Sequence, residues 1–298
     1  MESATICCFG EVLWDQFPSG KKLGGAPFNV ASSLHGLGAS VQFISSIGVD
    51  ILGDEILSLM KAQQLSTQFI QRHPNYPTGQ VHVQLDDQGV AQYKIAENAA
   101  WDFIKATPEA TTQVAKAQAF IFGSLSARGT SKKALDAFLK AAKFSVFDVN
   151  LRPPFYSISL LIELMQQASV LKFNDAELYL IAEQMGSPYH SLDQHIGYIA
   201  QQTGVSIICV TKGPFGAVLY HNGKWFYNSG YKIKVVDTVG AGDSFLATLI
   251  QGLIHAQDIQ NTLNKACAMG ALVAGSSGAN PEITEDALLS FMNGDKTL

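Results

Sequence analysis

Four short apolar segments, at 119–122, 145–148, 170–173 and 207–211, recur along the second half of the chain, with helical patterns near 131–142, 158–168, 175–183 and 194–202. A strand that is apolar on both sides must be covered on both sides. Parallel neighbours also need a crossover long enough to hold a helix. The pattern therefore predicts a mostly parallel sheet with helices on either face. Upstream, a strand at 6–9 is followed by Gly10, a helix at 28–37, a strand at 41–44 and a helix at 53–63. Downstream, a strand pair is expected within 217–235 and an extended strand-like run at 233–236. Two long helices follow, at 242–255 and 259–276.

Residues 79–95 break this rhythm. Val81, Val83 and Leu85 alternate with Gln80, His82 and Gln84, and Ala91, Tyr93 and Ile95 alternate with Gln92 and Lys94, across the turn residues 86–89. Alternation of period two with no intervening helix is a hairpin with one apolar and one wet face. The expectation is a single α/β domain over 1–298, with a small β lid formed by about 12–23 and 76–101. Trp14 and Trp101 would flank that lid. An apolar hairpin face needs cover, and a homodimer through the lid would supply it.

Hydrophobic residues make up 47% of the 298 and charged residues 15%, enough apolar material for a sizeable core. The net charge of −5 argues against a nucleic-acid or anionic-membrane partner, which needs a basic surface. No apolar run approaches the roughly 20 residues of a membrane span. The first residues lack the basic start of a signal peptide, so a cytoplasmic protein is expected. Cys7, Cys8, Cys209 and Cys267 show no CxxC spacing and read as reduced, buried thiols. The seven histidines have no metal-ligand spacing. No GxxxxGK[ST] or GxSxG sequence occurs, and no GxGxxG follows the first strand.

The polar and glycine-rich residues gather where strands end. Asp237-Thr238-Val239-Gly240-Ala241-Gly242-Asp243 precedes an amphipathic helix, so its small residues sit at a helix amino terminus. Free amides and the helix dipole there attract an anion. Asp243 is a carboxylate at that mouth: a helix cap, or a general base acting on a hydroxyl that attacks a bound phosphate. Gly24-Gly25-Ala26-Pro27-Phe28-Asn29 also opens a helix. Asp148-Val149-Asn150-Leu151-Arg152 ends a strand, where an internal Asp148–Arg152 ion pair is the plain alternative to ligand binding. Asn174 and Glu177, three apart after another strand, suit either a capping box or water-coordinated Mg²⁺. Thr211-Lys212-Gly213 ends a fourth strand, as a hairpin turn or a ligand turn.

Two of these segments, taken together, resemble the paired motifs of the PfkB carbohydrate kinases. Gly24-Gly25-Ala26-Pro27-Phe28-Asn29 with Gly38 and Gly48 is similar to the family's first motif, and Asp237 through Asp243 to its second. Within the family the chain is most similar to bacterial fructokinases, through 10–15, 25–29, 148–152 and Gly278-Ala279-Asn280-Pro281. The resemblance implies a ribokinase-like three-layer α/β/α fold and an ATP-dependent sugar kinase, with D-fructose and ATP giving fructose 6-phosphate and ADP. It implies Asp243 as catalytic base, with Gly240, Ala241 and Gly242 as the anion hole. Asp15, Gly25, Asn29 and Arg152 would bind the sugar. Asn174, Thr211, Gly213, Gly240 and Gly242 would bind ATP. Glu177 would reach Mg²⁺ through water. Asp237, with backbone near Val239, Val273, Ser276 and Gly278, would hold a monovalent cation, K⁺. Alternatives that keep the scaffold are the same chemistry on ribose or 2-keto-3-deoxygluconate, and a non-catalytic sugar or nucleotide sensor.

Overall fold

The computed structural model describes residues 5–17, 20–85 and 91–294. The chain enters on β1 (Thr5–Phe9), then forms the paired strands β2 (Leu13–Phe17) and β3 (Gly20–Gly24). Next come α1 (Ala26–Gly36), β4 (Ser40–Gly48), α2 (Ile51–Ala62), β5 (Ile70–His73), β6 (Gly79–Leu85) and β7 (Ala91–Ile95). A β/α alternation follows: α3 (Pro108–Lys116), β8 (Ala119–Gly123), α4 (Gly129–Ala141), β9 (Ser145–Asp148), α5 (Ile158–Gln166), β10 (Val170–Asn174), α6 (Asp175–Gln184), α7 (Leu192–Thr203) and β11 (Ile207–Thr211). The chain closes with β12 (Ala217–His221), β13 (Lys224–Asn228), α8 (Ala241–Ile254), α9 (Ile259–Ala274) and α10 (Glu285–Asn293).

Among the described residues, nine strands make one sheet in the order β13-β12-β11-β10-β9-β8-β1-β4-β5. The pairs from β11 through β5 are parallel, and β12 and β13 add an antiparallel edge. The second sheet, β3-β2-β6-β7, takes its strands from the two spans expected to form a lid. The far end of the second span behaves differently, because Ala99 and Trp101 are buried in the main core. The turn at 86–89 lies outside the described residues, as do the side chains of Val83, Leu85 and Tyr93.

Successive side chains of a strand point to opposite faces, and both faces here are apolar. Cys7 and Phe9 of β1 pack with Phe122, Phe138, Phe147 and Leu161 on the side of α4 to α7. Ile6 and Cys8 pack with Phe28, Leu34, Leu246 and Ile250 on the side of α1 and α8. Phe122 and Phe147 stack across β8 and β9 with ring centroids 4.9 Å apart. The four cysteines are buried and free. No helix among the described residues is long and apolar enough to cross a membrane.

The late helices form nearly as the periodicity predicts. The run 233–236 does not become a strand. Instead of entering the sheet, the amides of Val236 and Asp237 donate to the carbonyl of Ala274 at the end of α9, at 2.9 and 3.2 Å. Val235 and Val236 are exposed there. Trp14 and Trp101 are both buried: Trp14 Nε1 donates to the Leu52 carbonyl at 3.1 Å, and the Arg128 guanidinium lies 4.3 Å from the Trp101 ring.

Candidate active site

The carboxyl ends of the parallel strands gather on one edge of the sheet, beneath which both glycine segments lie. In open α/β sheets this edge is where ligands bind. α8 opens there on Gly240, which has φ +80, and a Cβ at that position would overlap the carbonyl of Ala279. Only glycine fits. The Ala241 amide turns back to the Thr238 carbonyl at 3.3 Å. Among the described residues, the amides of Gly242 and Asp243 have no internal acceptor. The first turn of a helix leaves such donors unpaired.

Asp243 stands in this first turn. Its Oδ2 accepts a 2.8 Å hydrogen bond from Nδ2 of Asn29, a buried residue of α1 that is 214 positions away in sequence. Burial raises the Asp243 carboxyl to about 7, and the nearby Asp148 charge adds to the effect. Asn29, Lys172 and Arg152 oppose it. A carboxylate with a pKa near neutrality is matched to taking a proton from a hydroxyl. Asn29, expected to touch sugar hydroxyls, is thus also the base's own partner.

Asp15 lies on β2 against Gly24 of β3. Burial lifts its carboxyl to about 6, and the Arg152 charge partly offsets this. Gly25, with φ +110, leads into α1 where a Cβ would meet the Glu11 carbonyl. Glu11 is buried, accepts a 2.6 Å bond from Ser126 Oγ, and is raised by burial against the pull of Ser126 and Arg152. Arg152 is exposed and bonds Asn150 Oδ1 at 2.7 Å and the Leu151 carbonyl at 3.0 Å. Its charge reaches Asp15, Glu11 and Asp243 alike.

The internal Asp148–Arg152 pair considered from sequence does not form. Asp148 Oδ1 instead meets Lys172 Nζ at 3.0 Å, and both residues are buried. β9 and β10 run side by side with Asp148 opposite Lys172, so the two charges are brought together by register. Lys172 was missed in the sequence reading. Its signal was a lone lysine inside the apolar strand Val170-Leu171-Lys172-Phe173.

Asn174 and Glu177 form the capping box of α6. Asn174 Oδ1 accepts from the Glu177 amide at 2.8 Å, and Glu177 Oε2 accepts from the Asn174 amide at 2.9 Å. Glu177 Oε1 also takes the Leu151 amide at 2.8 Å, which ties α6 to the Arg152 loop. Burial raises the Glu177 carboxyl, and Lys172 counters it. Thr211 and Gly213 lie in the hairpin turn between β11 and β12, where the Lys212 amide donates to the Gly216 carbonyl at 2.7 Å. Burial raises the Cys267 thiol to about 12 with the Lys212 charge pulling the other way, so this turn lies near α9. Asp237 Oδ1 accepts from the Val239 amide at 3.1 Å, and its Oδ2 is 3.7 Å from Lys22 Nζ of β3. Val273 and Ser276 lie in the adjoining turn at the end of α9, where the Ser276 amide donates to the Val273 carbonyl at 3.0 Å.

Open amides at a helix end and a carboxylate poised to accept a proton are what phosphoryl transfer to a hydroxyl requires side by side. The fold and this edge together define a phosphotransferase of the three-layer α/β/α class. The chain belongs to the pfkB family carbohydrate kinases, whose model matches residues 5–286. It is 28% identical to the fructokinase of Solanum tuberosum over 322 aligned residues, covering 99% of this chain and 97% of that protein. The fold is shared with the fructokinase of Xylella fastidiosa solved with bound ATP. The TM-score is 0.85 at 23% identity, with 98% of this chain and 99% of that chain covered. It is likewise shared with a fructokinase double mutant of Vibrio cholerae O395 in its fructose, ADP and potassium ion bound form. There the TM-score is 0.83 at 23% identity, and 97% and 98% of the two chains are covered.

Proposed function

We propose that this carbohydrate kinase transfers the γ-phosphoryl group of ATP to the 6-hydroxyl of D-fructose, releasing fructose 6-phosphate and ADP. The observation that carries the reading is Asp243: a carboxyl raised to about 7, fixed by Asn29, one residue from the Gly242 amide. Asp243 accepts the hydroxyl proton as the sugar oxygen bonds to the γ-phosphorus and the bond to the ADP oxygen breaks. The open amides of Gly242 and Asp243 face the negative oxygens of the moving group, where fixed dipoles need no reorganisation. The Ala241 amide, expected to join them, is instead bonded to the Thr238 carbonyl. Asp15, Gly25, Asn29 and Arg152 hold the sugar, and Asn174, Thr211 and Gly213 the nucleotide. The small sheet closes over the edge and keeps water from accepting the phosphoryl group. Fructose as the acceptor is supported by the fructokinase relatives and by the polar groups at this edge, where the Arg152 charge reaches both Asp15 and Asp243 and Asn29 bonds Asp243.

Mg²⁺ keeps several waters and is held largely by phosphate oxygens. Glu177 suits a contact through water, since each of its two oxygens already accepts a backbone amide, Oε1 that of Leu151 and Oε2 that of Asn174. Among the described residues no group of three or more His, Cys, Asp or Glu side chains gathers to cage a metal directly. Bound with ATP, the ion spreads the charge of the phosphates. Asp237 and the carbonyls near Val239, Val273, Ser276 and Gly278 are hard oxygens of the kind K⁺ prefers, and the potassium-bound Vibrio cholerae enzyme supports this assignment. The four reduced thiols suit the cytoplasm. A homodimer through the small sheets completes the proposal, and sedimentation showing only monomer at micromolar protein overturns that part.

The test is ADP release with ATP, Mg²⁺ and K⁺ across a sugar panel, beside Asp243→Asn. Fructose giving the highest kcat/KM with a nearly inactive variant supports both substrate and base. Another sugar winning, with the variant still inactive, keeps the mechanism and changes the substrate. No sugar stimulating ADP release turns the reading towards a sugar or nucleotide sensor.

A further inference from the structure

The floor of the site holds two buried charges that the mechanism above does not use. Along the face of the sheet turned to α1 and α8, β9 and β10 present Val146 and Val170, and then Asp148 and Lys172. Ion pairs are costly in such a place. Desolvating both groups consumes most of their attraction, and apolar residues of similar volume would pack there at least as stably. The pair is also not built to satisfy itself, because Asp148 Oδ2 is buried and has no hydrogen-bond partner. Asp148 instead lines a small cleft with Glu11, Pro27, Ser124 and Asn150, at the carboxyl edge of the sheet.

Lys172 lies directly beneath the phosphate turn. A Cβ built on Gly242 would stand 3.5 Å from Lys172 Nζ. A methyl there would be in ordinary contact with the ammonium, so Lys172 Nζ lies within side-chain reach of the backbone that would receive the phosphate. The groups facing Lys172 come from every neighbouring element: Asp148 from β9, Cys209 from β11, Glu177 from α6 and Asp243 from α8. Burial works against its charge, and the three carboxylates outweigh burial, so the ammonium persists. Asp243 is in turn faced by Asp148, Asn29, Lys172 and Arg152.

We propose that Asp148 and Lys172 are positioning residues for the phosphoryl transfer: the ammonium braces the turn that receives the phosphate, and the two charges, opposite in sign, balance one another on the Asp243 base. The inference rests on reading Asp243 as that base. Removing Asp148 favours the ionised base, removing Lys172 disfavours it, and removing both leaves it near its native state. A pair that only filled space would lower activity without this ordering.

The experiment is the pH dependence of kcat/KM for Asp148→Asn, Lys172→Met, the double variant and Asp243→Asn, with kcat and KM for the sugar resolved separately. The acidic limb moves to lower pH in Asp148→Asn and to higher pH in Lys172→Met, by roughly one pH unit each, as expected for a charge at this range. In the double variant it returns close to the native position. Lys172→Met also lowers kcat by about tenfold or more, with the sugar KM changed much less, because the ammonium serves the turn and not the sugar. The double variant buries no uncompensated charge, so it keeps the test open if Lys172→Met fails to fold. Limbs that stay in place, or move the same way in both single variants, overturn the proposal, as does a folded double variant with native kcat and a displaced limb. An inactive Asp243→Asn with unmoved limbs removes only this proposal, whereas an active Asp243→Asn removes the base reading and this proposal with it.

Discussion

The amino ends of α8 and α6 stand at the same edge of one sheet and are finished in opposite ways. α6 is closed on itself: Asn174 and Glu177 satisfy each other's amides, and Glu177 also takes the Leu151 amide. α8 is left open. Its cap residue is a left-handed glycine with no side chain to offer, and its nearby carboxylate is turned to Asn29. A helix end that satisfies its own donors contributes stability, and one that does not keeps them for a ligand. The contrast separates scaffold from site within a single layer of the fold.

The sharpest way to break the comparison is at Asp243. Asp243→Asn is expected to lower kcat/KM by about 10³-fold, the range lost with a general base, and ADP release measures it. The same change should raise stability at neutral pH. An acid whose folded pKa is raised, here to about 7, holds its proton to higher pH in the folded state than in the unfolded chain. Its contribution to stability therefore falls as pH rises from the ordinary aspartate range through about 7. Removing it should gain about 1–2 kcal/mol after allowance for solvent screening, visible as a higher melting temperature. A variant both inactive and destabilised would contradict the picture of an end kept open at a cost.

Gly240→Ala tests the opening itself. The positive φ and the Ala279 carbonyl both resist a side chain, so about 2–3 kcal/mol of stability should be lost, read from the denaturant midpoint. The wild-type pH profile is the next check. kcat/KM should climb through about pH 7, because Asp243 must be ionised to accept a proton; a plateau reached in the ordinary aspartate range would show that the carboxyl is unperturbed in solution. At the closed end, Asn174→Ala should cost about 1 kcal/mol, the worth of an N-cap, and raise the KM for ATP several-fold. A stability loss without any change in KM would make α6 scaffold alone. Least is expected of Lys22→Ala, which breaks an exposed ion pair to Asp237. The change in stability should stay within about 0.5 kcal/mol.

Much of this fold is legible in the chain because apolar strands and amphipathic helices each declare their own period. Cys7 and Phe9 against Ile6 and Cys8 already sort the two helical layers. The elements that the pattern did not reveal are those that bury little. α3 buries only Ala110 and Val114, α10 only Leu288, and β5 is an edge strand with no fully buried residue. The site was legible as polar residues at strand ends. The Asp148–Lys172 pair was not, because a lysine in an apolar strand shows its face by parity but not its neighbour.

The sequence by itself determined the order of the apolar strands and of the strongly amphipathic helices, the face each of those strand residues takes, and the two glycine segments that open helices without a side-chain cap. These follow from the chain's own geometry, since side-chain periods and backbone freedom are local properties. The tertiary structure alone decided which distant residues meet: Asn29 with Asp243, Lys172 with Asp148 in place of Arg152, and 236–237 with the end of α9 in place of the sheet. Those contacts depend on which strands become neighbours and in what register. That choice is made by packing the whole core, and no single segment carries it.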